Sequence, residues 1–310
     1  MTPTILLLGK DGQVGRELLR ALAPAGSLVA CDRPELDFER PGALCDLIRD
    51  TAPDVIVNAA AYTAVERAEA EPETARRVNA DAVAVVAAEA RRRNALLVHY
   101  STDYVFDGTR PGWYDEDDEP RPLGVYGATK LAGERAAATA PRHLVFRTSW
   151  VYAAHGQNFI RTMLRLARER PALDVVDDQW GAPTAAALLA DVTALAIDRC
   201  REPATAVPSG VYHLVPGGET TWCGFARFVL GQARTLGLPL QAGPEQVRGI
   251  PSTAFPTAVR RPANSRLNTK KIRAAFGIAL PMWQDGVVPV VAELVADLIR
   301  TPLPPVRTGP

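Results

Sequence analysis

The sequence carries no excess charge of either sign: 35 Lys and Arg stand against 35 Asp and Glu over 310 residues. A protein that coats a polyanion draws its affinity from a basic field, so nucleic acid is not an expected partner. Long apolar runs are missing as well. No stretch approaches the ~18 consecutive apolar residues of a membrane span, and a soluble chain with no membrane partner is expected. A basic leader is also lacking: Ile5 to Leu8 gives way to Gly9 at once, too short a run for a secretory signal. That points to a cytoplasmic location. Cysteine is scarce, with Cys31, Cys45, Cys200 and Cys223 far apart and no C-x-x-C pair, so neither a disulfide framework nor zinc is signalled. His99, His143, His155 and His213 show no metal-ligand spacing and read as structural.

What is present is ordinary globular material, 47% hydrophobic and 23% charged. At roughly 100–200 residues per domain the length allows one large domain or two ordinary ones. Short apolar runs alternate with helical spacing. Ile5 to Leu8 reads as strand and Val14, Leu18, Ala21 and Leu22 as a helix face. Leu28 to Cys31, Asp54 to Val57, Leu96 to Tyr100 and His143 to Thr148 read as further strands. Helices are expected at Gly42 to Asp50, about Glu73 to Arg93, and Tyr126 to Ala138. Strands separated by helices mean right-handed βαβ units, hence an α/β fold with a doubly wound parallel sheet and a smaller mixed α/β part.

After Trp150 the rhythm loosens. Helices are expected near Asn158 to Arg168 and Ala186 to Arg199, with strands at Leu173 to Val176 and Val211 to Val215. Trp222, Phe225, Phe228, Val229 and Leu236 form one helical stripe, and Val287, Val290, Val291, Leu294, Val295 and Leu298 another; both read as core faces. Gly237 to Asn264, rich in Pro and Gly, reads as loops. The division expected is residues 1–150 plus about 184–216 as the dinucleotide-binding domain, and about 151–183 plus 217–300 as the substrate domain. Residues 301–310 read as an inert tail, and the acidic run Asp115 to Glu119 as a solvated loop.

Gly9-Lys10-Asp11-Gly12-Gln13-Val14-Gly15 lies where the first strand gives way to helix. Glycines three apart suit a dinucleotide turn: one for the tight turn, one for approach of backbone N–H groups to a pyrophosphate, one for helix–strand packing. Asp32, at the end of the second strand, suits an adenosine ribose, while the adjacent Arg33 suits a 2′-phosphate, so NADH and NADPH both stay open. Asn58-Ala59-Ala60-Ala61 ends the third strand with side chains small enough for a flat ligand to approach. Tyr126 and Lys130 stand four apart and share a helix face. A neighbouring ammonium lowers a phenol's pKa by favouring the phenolate, so the pair reads as an acid/base couple, close to the hydroxyl of Thr102.

These residues resemble the extended short-chain dehydrogenase/reductase superfamily. Within it, five blocks resemble the dTDP-4-dehydrorhamnose reductase family: Val57 to Val65, Tyr100 to Gly108, Arg147 to Tyr152, Asp178 to Thr184 and Arg261 to Leu267. The resemblance implies reduction of the C4 ketone of a dTDP-sugar, dTDP-4-dehydro-L-rhamnose, by NADPH or NADH. It implies Tyr126 as proton donor, Lys130 on the nicotinamide ribose and Thr102 as hydrogen-bond donor to the carbonyl. Gly9, Gly12, Gln13 and Val14 would line the pyrophosphate, Asp37 and Phe38 the adenine side, and Ala59, Ala60 and Ala61 the central cofactor. Val65, Asp103, Tyr104 and Trp150 would face the sugar, with Arg261 and Asn264 nearer the diphosphate.

Some relatives of this kind pair subunits around a magnesium ion held by glutamates. Glu17 and Glu293 match two of those positions but the third is Ala187, and losing one hard oxygen ligand weakens such a site, so no metal is expected and a homodimer stays open. Two rivals share the scaffold. An epimerase or dehydratase would require more acid/base residues than the single carboxylate of Asp103-Tyr104. A regulatory subunit resembling the beta subunit of methionine adenosyltransferase could dispense with Thr102, Tyr126 and Lys130, all present here.

Overall fold

The computed structural model describes residues 2–201, 207–255, 257 and 259–300; the tail reading falls outside them. β1 (Thr4–Leu8) runs through the glycine turn into α1 (Gln13–Leu22), then β2 (Ser27–Cys31), α2 (Pro41–Thr51), β3 (Val55–Asn58), α3 (Val65–Ala70) and α4 (Pro72–Arg76). α5 (Ala82–Arg93), β4 (Leu96–Thr102), α6 (Val125–Ala137) and β5 (His143–Thr148) follow. Beyond them come β6 (Val151–Tyr152), α7 (Phe159–Glu169), β7 (Leu173–Val176), β8 (Trp180–Gly181), β9 (Thr184–Ala185) and α8 (Ala186–Arg201). The chain continues with β10 (Gly210–His213), β11 (Thr220–Thr221), α9 (Trp222–Thr235), β12 (Val247–Ile250), α10 (Lys270–Phe276) and α11 (Trp283–Arg300).

Six strands pair in the order β10-β5-β4-β3-β1-β2, every neighbouring pair parallel. Parallel sheets are covered on both faces by their crossover helices, which is why these strands read as unbroken apolar runs. Ile5, Leu7, Val55 and Val57 pack with Leu18 and Leu22 of α1 and Leu189 and Ile197 of α8. Leu6, Leu8 and Ile56 pack on the other side with Leu44 and Ile48 of α2 and Val83 and Val86 of α5. Each such side chain contributes about 1.5–3 kcal/mol by leaving water. A separate core joins Tyr152, Ile160 and Leu164 to Phe225 and Val229 of α9 and to Trp283, Val287 and Val291 of α11.

Four local expectations need correction. The helix expected from Glu73 to Arg93 is helical throughout but not α throughout: one π-helical turn, Arg77–Asp81, lies between α4 and α5. It turns the Asn79 amide inward, where Oδ1 accepts the Tyr62 N–H at 2.8 Å and Nδ2 donates to the Tyr62 carbonyl and to Thr129 Oγ1. Leu236 lies beyond the end of α9 and is 43% exposed, so it is not part of the core stripe. The Gly237 to Asn264 stretch holds a strand, β12, paired in parallel with β7. The acidic run is not simply solvated either: Glu116 Oε1 accepts the His213 N–H at 2.9 Å, and Asp118 pairs with Arg110.

Among the described residues no helix is long and apolar enough to cross a membrane, and no group of three or more His, Cys, Asp or Glu side chains is gathered as metal ligands.

Candidate active site

Strand order turns back at the β1/β3 boundary, since the chain goes from β1 outward to β2 and then returns to β3. Crevices at such switch points, beyond the carboxyl ends of the strands, are where open α/β sheets take ligands. Here the crevice is a cavity of about 770 Å³.

Its floor is the glycine turn. Gly9 has φ +87°, and a Cβ there would meet the Ala60 nitrogen at 2.5 Å, so the turn after β1 packs directly on the main chain after β3. A Cβ on Gly15 would come within 1.9 Å of the Gly9 carbonyl, which brings α1 against the turn. Gly12 differs: a Cβ there would meet nothing closer than 3.6 Å, so its backbone lies open to the cavity. It is the N-cap of α1 and provides no side-chain cap, leaving first-turn N–H groups and the positive helix end for an anion. These features fit the pyrophosphate of a dinucleotide. Gly9, Gly12, Gln13, Val14, Asp32, Phe38, Ala59, Ala60 and Ala61 all line the cavity. Asp32 is fixed there by the Asp11 N–H at 3.0 Å and its neighbour's, Arg33 N–H, at 2.8 Å.

The opposite wall carries the acid/base groups. Thr102, Asp103 and Tyr104 from the end of β4, Tyr126 and Lys130 from α6, and Val65 and Trp150 all line the cavity. Burial pushes the Tyr126 phenol up to about 12, although a hydrogen bond with the Thr102 hydroxyl draws it back toward its ordinary value. The sequence expectation that Lys130 lowers this phenol is therefore corrected. Lys130 is itself buried, its Nζ donates to the Tyr100 carbonyl at 2.6 Å, and loss of water brings it down to about 8, opposed by the charge of Glu134. Tyr104 meets the Tyr126 ring edge-on, with centroids 5.5 Å apart.

The hydroxyl of Thr102 donates to Asp103 Oδ1 at 3.0 Å and accepts the Tyr104 N–H at 3.2 Å. Asp103 and the Tyr126 phenol compete for its one proton, and donation to a bound carbonyl requires the hydroxyl to turn. Asp103 also accepts a short hydrogen bond from Ser265, and burial pushes its carboxyl up to about 6. Trp150 has φ +51° and stacks on Trp222 with centroids 3.7 Å apart. A non-glycine residue held there costs of order 1–3 kcal/mol and persists only where its surroundings fix it.

Three expected site residues are not among those lining the cavity. Asp37 is occupied by Arg33, Arg40 and the Glu39 N–H. The Asn264 amide donates to the Arg110 and Gly112 carbonyls at 2.7 and 2.6 Å and accepts from Arg266, which leaves nothing for a ligand. Arg261 pairs with Glu66.

Other residues join the site that sequence reasoning did not single out. Asn158 Nδ2 donates to Gln13 Oε1 at 2.9 Å, and His155 Nε2 lies 3.2 Å from the Gln13 carbonyl, so the segment before α7 closes over the dinucleotide turn. Gly156 and Gln157 of this segment line the cavity. The N-cap pattern at Asn158 was a visible signal, but only for a helix start. Behind Lys130, Glu134 makes a buried two-point pair with Arg147 at 2.9 and 2.8 Å and also accepts from Ser101.

The RmlD substrate binding domain family matches residues 3–296. The chain belongs to this family. Members similar to it include the dTDP-4-dehydrorhamnose reductase of Salmonella typhimurium strain LT2, 50% identical over 296 residues covering 94% of this chain and 97% of that relative. The reductase of Escherichia coli K12 is 51% identical with the same coverage. Among solved structures, dTDP-4-dehydrorhamnose reductase from Bacillus anthracis str. Ames in complex with NADP superposes with a TM-score of 0.86 at 32% identity, covering 94% of this chain and all of that one. Membership of the family places the chain among NAD(P)-binding oxidoreductases of nucleotide-sugar metabolism.

Proposed function

We propose that this chain is an NAD(P)H-dependent oxidoreductase that reduces the C4 ketone of dTDP-4-dehydro-L-rhamnose to dTDP-L-rhamnose, the last step in making that sugar nucleotide. The observation that carries the reading is the pairing of a protonated, buried phenol with a buried lysine one turn away, both opening on the cavity floored by the glycine turn.

When bound, the reduced nicotinamide supplies the hydride to the carbonyl carbon. The carbonyl oxygen then needs a proton, and Tyr126, held in its neutral form by burial, carries one at its hydroxyl. Thr102 swings its hydroxyl from Asp103 toward the same oxygen and stabilises the charge that develops there. Lys130, anchored on the Tyr100 carbonyl, would hold the nicotinamide ribose from the same cavity wall. Gly9, Gly12, Gln13 and Val14 cradle the pyrophosphate, Asp32 and Phe38 the adenosine, and Ala59 to Ala61 the middle of the cofactor. Val65, Asp103, Tyr104 and Trp150 face the sugar. In this reading residues 1–150 plus about 184–216 form the dinucleotide-binding domain, whose strand ends also carry these sugar-facing residues, about 151–183 plus 217–300 form the substrate domain, and the protein acts in the cytoplasm.

The test mixes purified protein with dTDP-4-dehydro-L-rhamnose and NADH or NADPH and follows loss of the reduced-cofactor absorbance. The expected result is one cofactor oxidised per dTDP-L-rhamnose formed; absence of turnover with both cofactors refutes the reading.

A further inference from the structure

At the adenosine edge of the cavity, Arg33 leads into a group of charges just outside the lining that the reaction itself does not need. Arg33, which lines the cavity beside Asp32, sends Nη2 to Glu39 Oε1 at 2.8 Å and to Asp37 Oδ1 at 3.4 Å. Arg77, from the π-helical turn, donates from Nε to the other oxygen of the same carboxylate, Glu39 Oε2, at 3.2 Å. One carboxylate therefore sits between two guanidiniums brought from separate segments. Lys10, from the glycine turn, is tied in turn to Glu35 at 2.8 Å.

A guanidinium pair converging on a dianion is how proteins hold a phosphate. In a dinucleotide fold an acidic residue after the second strand accepts from the ribose 2′-hydroxyl, and a nearby arginine accommodates a 2′-phosphate instead. This chain has both elements, but its arginines already hold an anion of their own. Asp32 is held at the cavity wall by two backbone N–H groups, and a 2′-phosphate entering there meets its charge while Arg33 is engaged by Glu39.

We infer that Glu39 is the residue that sets cofactor choice: by engaging Arg33 and Arg77 together it withholds both guanidiniums from a 2′-phosphate and inclines the chain toward NADH. The inference rests on the nicotinamide-cofactor reading and deepens it. These ion pairs are partly exposed and so hold each guanidinium only moderately. Glu39 thus biases the choice, and removing its carboxylate releases two cations at once.

The experiment measures equilibrium binding, by calorimetry, of 5′-AMP and of adenosine 2′,5′-bisphosphate, with NADH binding as a reference. Wild-type protein is expected to bind 5′-AMP at least as tightly as the bisphosphate. Glu39→Gln should tighten the bisphosphate about tenfold, the scale of one added charge-assisted contact, and leave 5′-AMP unchanged. Glu39→Ala should move the ratio the same way, and adding Arg33→Ala to Glu39→Gln should cancel the gain. The gain should also shrink as salt is raised. An unchanged ratio in both Glu39 variants, or a wild-type protein that already prefers the bisphosphate tenfold, overturns the inference while leaving the reductase reading intact. Failure of wild-type protein to bind NADH overturns both.

Discussion

Lys130 Nζ lies 2.6 Å from the carbonyl oxygen of Tyr100, the residue two before Thr102 on the same strand. This contact ties the α6 helix that carries Tyr126 to the strand end that carries Thr102, so the spacing of the three groups is set by main-chain geometry. It also buries an ammonium with one neutral acceptor, an arrangement that costs stability.

Lys130→Met should therefore separate folding from function. Turnover should fall by a factor on the order of 10² or more, as expected for loss of a group that positions the nicotinamide ribose. Thermal unfolding should rise, with up to about 2 kcal/mol gained by removing a charge from the interior. Loss of both activity and stability would mean that the lysine is structural.

The pH dependence follows from the same group. Lys130 titrates near 8 in the folded chain, below its ordinary 10.5. As pH rises through about 8 the folded form loses this proton before the unfolded form does, so the penalty for burying the charge is relieved and stability gains from this group between pH 8 and 10.5. Turnover should do the reverse, declining above about pH 8 as the positive charge beside the ribose disappears. Calorimetric unfolding and a pH–rate profile, compared with Lys130→Met, check both signs.

Gly9→Ala should abolish cofactor binding. The added methyl would meet the Ala60 nitrogen at 2.5 Å, and the φ of +87° disfavours any side chain there. Gly12→Ala meets no such obstacle inside the protein, so it should fold normally and weaken NADH binding by intruding on the ligand side. Thermal melts with and without NADH distinguish the two.

Glu134→Gln should destabilise the fold by roughly 3–5 kcal/mol, because it leaves the buried Arg147 guanidinium without its anion. Replacing both, Glu134→Met with Arg147→Met, should restore much of that loss. Chemical denaturation of the single and double variants measures the coupling.

Much of this architecture was legible from the order of residues. The apolar runs at Ile5 to Leu8 and Asp54 to Val57 read as strands covered on both faces, and the Gly9–Gly15 spacing marks the turn from the first strand into α1. Tyr126 and Lys130 were visible because four-residue spacing is a local property of a helix. What escaped notice depends on distant partners. Within the π turn at Arg77–Asp81, Asn79 reaches the Tyr62 main chain and Thr129, the latter fifty positions away. Asn264 looked like a ligand-binding amide, yet its donors are taken by carbonyls more than 150 residues earlier. The phenol of Tyr126 was expected to be lowered by its lysine; burial, which no spacing encodes, raises it instead.

The most direct test of the account is the effect of Tyr126→Phe on turnover with dTDP-4-dehydro-L-rhamnose, measured beside the Kd for NADH. Here kcat should be lower by a factor on the order of 10²–10⁴ with Kd nearly unchanged. A variant that turns over at the wild-type rate would contradict it.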